Sequence, residues 1–297
     1  MSAPDATQAE PASALARPPR KLGALRALLR SPSGAVGLAI VVILVIAAVF
    51  APLIAPHDPF RMAAGPRLSP PSANHLMGTD QLGRDVFSRI VYGARLTLQI
   101  GVIAVGISLT AGLLLGLVAG YAGGWPERIL MRLVDVLFSF TEIVIALACL
   151  AILGVGLVNA MIAIGIASIP FYARITHSVV LVEKNKPYFE AAIAAGASRL
   201  RLIFIHLLPN VIPTLIVVGT LGVSTAVLAA AGLSFLGLGA QPPQPEWGFM
   251  LSSSRDLISR APWMMIFPGL AIAITVLGFN LLGDGVREVL DPRQRAR

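Results

Sequence analysis

The chain is expected to be an all-α membrane protein with six transmembrane helices, and two observations lead there. Of its 297 residues 56% are apolar and only 13% charged, the second figure about half that of a soluble domain. Several apolar runs reach about 18 residues or more, enough to cross a ~30 Å hydrocarbon core. No room remains for a separate soluble domain. A formal net charge of +8 could suggest nucleic acid, but the basic residues flank apolar runs, which fits membrane orientation better. The single cysteine, Cys149, lies in an apolar run, so no internal disulfide is possible and nothing is learnt about redox compartment.

Residues 1–30 are rich in Ala and Pro and then basic (Arg17, Arg20, Lys21, Arg26, Arg30), which predicts a mobile cytoplasmic tail. A cleaved leader is the poorer reading, because the apolar stretch 35–54 is long enough to span and lies far from the start. That stretch is the first span, and with the external loop after it forms a unit over 31–94. In the loop Asp80 is expected to cap an amphipathic helix on the outer surface, with Leu82, Val86 and Ile90 on one face. The i, i+4 pairs Asp80–Arg84 and Asp85–Arg89 would support it by a few tenths of a kcal/mol each, roughly.

The next unit, 95–285, carries five spans. The first of these, 96–121, has small residues every fourth position, Ala104, Ser108, Gly112, Gly116 and Gly120, a ridge for close helix packing in lipid. Arg128 and Arg132 mark a short inner loop. In the third span, 131–154, Asp135 can snorkel or pair with Arg132. Glu142, counted up a continuous helix from Arg132, would sit roughly 15 Å deep, where a carboxylate costs a few kcal/mol. Either it lines a pathway, or the helix starts later and leaves it near the interface. The fourth span covers 158–175, closed inside by Arg174 and His177; the fifth covers 211–233. In the external segment 233–261, Gly237, Gly239, Pro242, Pro243 and Pro245 forbid a continuous helix and suggest a re-entrant or surface-lying stretch. The sixth span is 264–282, and 286–297 form a cytoplasmic tail. Six spans put both termini inside, and most of the 23 Lys and Arg then fall on the inner side.

Residues 187–209 are the polar-containing interruption in the apolar half, flanked by Lys184, Lys186, Arg199 and Arg201. Pro187 suits a first helical position and Glu190 the first turn. Ala191, Ala194 and Ala195 share a face, Gly196 suits the stop, and Ser198 can cap a second helix. Leu200, Ile203, Phe204, Leu207 and Leu208 form an apolar stripe, and Pro209 is expected to break it before the next span. Two short helices at a sharp bend should lie against the membrane, with an alanine face that lets another protein's backbone come close. An ordinary interfacial hairpin fits the same pattern.

Glu190-Ala191-Ala192, Gly196 and His206-Leu207-Leu208-Pro209 resemble the E-A-A signature of permease subunits in ABC importers. His206 stands where the general pattern has Ile, as is common in the dipeptide/oligopeptide/nickel branch. Gly78-Thr79-Asp80, Gly83-Arg84-Asp85 and Ser88-Arg89 are similar to the segment preceding the permease domain in C-type subunits of that branch. So are the stretch 233–239, Gln241-Pro242-Pro243, Trp247-Gly248, the stretch 279–285 and Asp291-Pro292-Arg293. Two positions depart: Thr141 where the family often has Pro, and Ala230 where it usually has Glu. The resemblance implies a type I ABC importer permease fold in a bacterial inner membrane, with 187–209 as the coupling helix that docks on an ATPase. Glu190, Ala191, Ala192, Gly196, Ser198, His206, Leu208 and Pro209 would carry the coupling. It also implies a second permease, two cytoplasmic ATPase subunits holding ATP and Mg, and an external substrate-binding protein. Short peptides are the implied substrates, with nickel complexes, glutathione-like compounds and opines as alternatives.

No G-x-x-x-x-G-K-[ST], H-E-x-x-H or G-x-S-x-G occurs, so neither nucleotide cradling nor the main hydrolase chemistries are expected of this chain, which should be no enzyme and bind no cofactor itself. His57, His75, His177 and His206 fall on both sides of the membrane, which argues against a shared metal site. A secondary transporter working alone would show repeated broken spans and more intramembrane charge. A structural scaffold gives no reason for 187–209.

Overall fold

The computed structural model of the protein describes residues 21–290; the tail to residue 20 and Asp291-Pro292-Arg293 lie outside it. Helix α1 covers Lys21–Arg30. Ser31 then caps α2 (Pro32–Val49) by accepting from the Gly34 amide, with Pro32 in the first helical position. The short α3 (Ala51–Ile54) leads into the first loop. The remaining helices are α4 (Val86–Ala122), α5 (Gly124–Phe138), α6 (Glu142–Leu153), α7 (Leu157–Lys184), α8 (Pro187–Ala194), α9 (Arg199–Arg201), α10 (Leu208–Phe235), α11 (Trp247–Ser254) and α12 (Trp263–Leu290). Among the described residues five helices are long and apolar enough to cross a membrane; α5 and α6, bent by 93° to one another, make a sixth crossing when counted as a pair.

The bundle is assembled where side chains are smallest. Helix α4 lies along α7, and a methyl group at Gly116 would meet the Ala173 carbonyl and Thr176 Cβ at 2.5 Å. Gly112 abuts Tyr172 and Ala173 in the same way, and Gly120 abuts Val180. Ser108 donates back to the carbonyls of Ala104 and Val105, so its hydroxyl adds no bulk between the helices. A second close approach joins α2 to α12, where Gly37 faces the backbone of Leu281 and Leu282. Lipid tails are as apolar as Leu, so tight backbone approach is a main source of helix association here.

The first loop differs from the expected surface helix. Asp80 starts no helix: it accepts from the amides of Leu82 and Arg84 and from Arg84 Nε (2.6 Å), all within a turn. The reason is Gly83, whose φ of +72° is left-handed and ends any helix begun at Asp80. Asp85 is the actual cap, accepting from Ser88 N at 2.8 Å and Ser88 Oγ at 2.7 Å. Helix α4 therefore runs unbroken from Val86 into the membrane, and Leu82 is outside it. The Asp85–Arg89 pair does not form. Arg89, 1% exposed, donates instead to carbonyls of Pro59, Pro243 and Gln244, joining both loops. The loop also laces to itself, Ala63 N to Leu82 O and Thr79 N to Ser69 O.

The second loop segment packs inward. Glu246 caps α11 by accepting from the amides of Gly248 and Phe249, and burial pushes its carboxyl up despite these bonds. Trp247 is 1% exposed, donates to the Ile90 carbonyl and fills the space Gly93 leaves. The third expected span is not a single helix either. Ser139 bonds back through Oγ to the Val136 carbonyl, Phe140 N bonds to Leu137 O, and Thr141 is extended, so the helix stops and restarts. Asp135 pairs with Arg174 (2.7 Å) rather than Arg132.

The packing at Gly116 gives a direct test. Gly116→Ala should lower the thermal midpoint of the purified protein, with an overpacking cost of about 1–3 kcal/mol. Gly106→Ala, where nothing lies within 4 Å of the added carbon, should leave the midpoint unchanged or raise it.

Candidate functional site

Polar groups gather against the bundle in the stretch 187–210 and in a cavity between the spans. The stretch is fixed at both ends. Lys184 donates to the carbonyls of Gly120 (2.9 Å) and Tyr121 (3.1 Å), a cation at the C-terminal end of α4. Glu183, buried, receives Lys186 Nζ (2.5 Å) and the Tyr188 hydroxyl (2.7 Å). Asn210 donates to Tyr188 OH (3.2 Å) and to the His206 carbonyl (2.6 Å). A continuous chain of bonds thus joins α7, α8 and α10. Burial, then the bond to Glu183, pushes the Tyr188 hydroxyl above its ordinary value. Phe189, 2% exposed, anchors α8 in an apolar cluster with Val180, Leu202, Leu207, Val211 and Leu215.

The end of α8 is a Schellman turn: Gly196 N bonds to Ile193 O (2.9 Å) and Ala197 N to Ala192 O (3.1 Å). Gly196 takes φ +75° to make it. Ser198 then accepts from Arg201 N (3.4 Å) as the cap of α9. Glu190, Ala191, Ala194 and Ala195 are exposed, while Ala192 packs against the cluster.

Pro209 does not break the helix, contrary to expectation. A π-helical turn, Leu202–Leu207, joins α9 to α10, and Arg199–Phe235 is one rod of 37 residues. Leu208 N bonds to Ile203 O, five residues back. Pro209 lacks an N–H, and in α geometry its ring would clash with the carbonyl four residues before; the widened turn relieves both. The same turn shifts the predicted stripe. Leu202 and Leu207, five apart, are buried, whereas Leu200 (68%) and Phe204 (60%) are exposed. His206 is half-buried beside Tyr188, with ring centroids 6.3 Å apart, and Leu208 is half-buried.

The cavity, of about 130 Å³, is lined by Ser108, Glu142, Ser168, Tyr172 and Thr225, with Phe171 and small apolar residues. Glu142 is the first residue of α6 and exposed. The depth reckoned from Arg132 does not hold, because the helix it assumed is interrupted at 139–141. Glu142 sits at a helix start and still lines the cavity. Its carboxylate there is favoured by the helix dipole. Tyr172, Ser168 and Thr225 were missed from the sequence; isolated hydroxyls in apolar runs were the available signal. Glu183, Tyr188 and Asn210 were missed because their meeting depends on the rod's register.

His177 pairs with Glu127 (2.7 Å), far from the rest, but His57 and His75 come together over Asp85, with ring centroids 4.9 Å apart. The loop folds back and closes their separation in sequence.

Residues 112–296 match the family described as the binding-protein-dependent transport system inner membrane component, and 23–71 match the N-terminal TM domain of oligopeptide transport permease C. The chain belongs to the first of these families, as a multi-pass permease subunit rather than an enzyme. It is 46% identical over 273 residues to the dipeptide transport system permease protein DppC of Alkalihalophilus pseudofirmus, covering 92% of this chain and 90% of that one. It is 49% identical over 263 residues to the di/tripeptide transport system permease protein DppC of Pseudomonas aeruginosa, covering 86% and 87%. It is 45% identical over 257 residues to the glutathione transport system permease protein GsiD of Pectobacterium atrosepticum, covering 86% and 85%. Among solved structures, the MetNI methionine ABC transporter in inward-facing conformation matches with a TM-score of 0.57 at 22% identity, covering 68% of this chain and 96% of that one. That likeness shows the fold alone, which this chain shares with a membrane chain of that transporter.

Tyr188→Phe should free the elbow without unfolding the bundle. It removes the bond to Glu183 and the acceptor for Asn210, a loss of about 1–3 kcal/mol where partners are buried. Hydrogen exchange over 187–196 should quicken while α4 and α7 stay protected; unchanged exchange would show that the chain of bonds does not hold α8.

Proposed function

We propose that this chain is the C-type permease of an ATP-driven importer and forms, with a second permease of related fold, the passage for short peptides. The observation that carries the coupling part is the elbow. Its exposed face of Glu190, Ala191, Ala194 and Ala195 lets another backbone approach, while Glu183, Tyr188 and Asn210 tie it to two spans. A push on α8 therefore moves α7 and α10 together. The pushing partners are two cytoplasmic ATPase subunits, which would hold ATP and Mg; an external binding protein would deliver the peptide. In this reading both termini and the elbow are cytoplasmic, and the loops 55–85 and 236–262 face outside.

The di/tripeptide relatives support peptides as cargo. Glu142 supplies chemistry suited to it: a carboxylate at the cavity can accept the cationic amino end of a peptide. The glutathione permease relatives support a second reading, glutathione, which is itself a peptide with a free amino group.

Three measurements test this. Gly196→Val places a β-branched residue at φ +75° with open space around it, so strain rather than a clash is the cost. Substrate-stimulated ATP hydrolysis by the reconstituted importer should fall several-fold with membrane insertion retained; full stimulated activity would remove the elbow from coupling. Glu142→Gln should reduce peptide uptake while assembly and basal ATP hydrolysis persist, and uptake equal to wild type at matched subunit levels would take Glu142 off the path. Cysteines at Ser72 and Ser253 should label from outside intact cells and one at Ser198 should not; the reverse pattern overturns the orientation.

A further inference from the structure

We propose that His57, His75 and Asp85 form a binding site for a single zinc ion that fastens the first loop to the start of α4. The three residues offer ligand atoms that all lie within 4.8 Å of one another. His75 Nδ1 is 3.0 Å from Asp85 Oδ1, and His57 Nδ1 is 3.9 Å from Asp85 Oδ2. Four ligands held tetrahedrally at about 2.0–2.1 Å from an ion stand about 3.3 Å apart, so the 3.0 Å pair is near that spacing and the rest, within 4.8 Å, must draw in slightly on binding.

One atom singles the cluster out from an ordinary hydrogen-bonded loop. His57 Nδ1 is buried and has no hydrogen-bond partner among the described residues. Leaving such a group dry and unpaired costs about 1–3 kcal/mol. The bond between His75 and Asp85 is complete without a metal; the third member is not. A cation between them gives that nitrogen a partner. It also offsets the charge of Asp85, whose side chain is 0% exposed.

The supporting residues are already in place. Asp85 Oδ2 is held by Ser88 N and Ser88 Oγ, and the same Oγ accepts from the His57 backbone amide at 3.2 Å. One hydroxyl thus orients two of the three ligands, as outer residues of metal sites do. Both rings present Nδ1, so binding displaces the proton His75 shares with Asp85, and that proton leaves to water. Two imidazoles and one carboxylate suit zinc; calcium and magnesium prefer oxygen donors alone. The His57 side chain is 31% exposed, while its Nδ1 faces inward.

The test uses the full chain co-purified with its partner permease, stripped with a chelator and dialysed against zinc, with metal content read by mass spectrometry. Wild type should take up about one zinc per chain, and zinc should raise its thermal midpoint. His57→Phe removes only a side chain that makes no hydrogen bond and should weaken zinc binding at least tenfold. Asp85→Asn keeps a helix cap, guards against misfolding of the first variant, and should weaken binding similarly. Absence of stoichiometric zinc in wild type, or wild-type uptake by both variants, would overturn the site and leave a hydrogen-bonded loop.

Discussion

Hydrocarbon offers no water to a free backbone N–H or C=O, and every feature of this protein depends on that. Helices α4, α7, α10 and α12 satisfy it internally over 28 to 37 residues each. Having done so, they have no strong hydrophobic reason to join, because lipid serves Leu as well as another helix does. Contact at Gly112, Gly116 and Gly120, and at Gly37 on the opposite side, supplies dispersion instead. At several places where the backbone leaves helical geometry, a local substitute pairs it: Ser139 at the break after α5, the five-residue step before Pro209, and the Asp80 and Asp85 carboxylates in the loop.

The elbow arises from the same demand. A helix that stops near the membrane surface leaves carbonyls unpaired. Gly196 and Ala197 pair those of α8, and Lys184 pairs those at the end of α4. Glu183, Tyr188 and Asn210 then fix α8 against α7 and α10. The elbow is thereby bonded to both spans.

Spans were legible because a twenty-residue apolar run has few other uses, and the ridge on α4 because a four-residue period survives any packing detail. The turn at Gly196 and the cap at Ser198 were legible because only local sequence decides them. The hidden features depended on events between residues. Asp80 reads as a good cap until Gly83 turns the chain, and Asp85 takes the role. Pro209 reads as a stop until a wide turn absorbs it, which moves Leu202 into the core and Phe204 out. Glu142 reads as deep only while the helix from Arg132 is taken as continuous. His57 and His75 meet because the loop doubles back, which no local pattern announces.

The wide turn at Leu202–Leu207 has a consequence for how such chains can vary. It accommodates one residue more than α pitch allows, and each residue of an α-helix subtends about 100°. Loss of a single residue there would restore regular pitch and swing everything below it about the axis by roughly that angle. Helix α8, bearing Ala191 and Ala194, is also tied to α7, so the swing would break the Tyr188–Asn210 link that joins it to the rod. Chain length between Ser198 and Pro209 thus sets the register between the elbow and the rod.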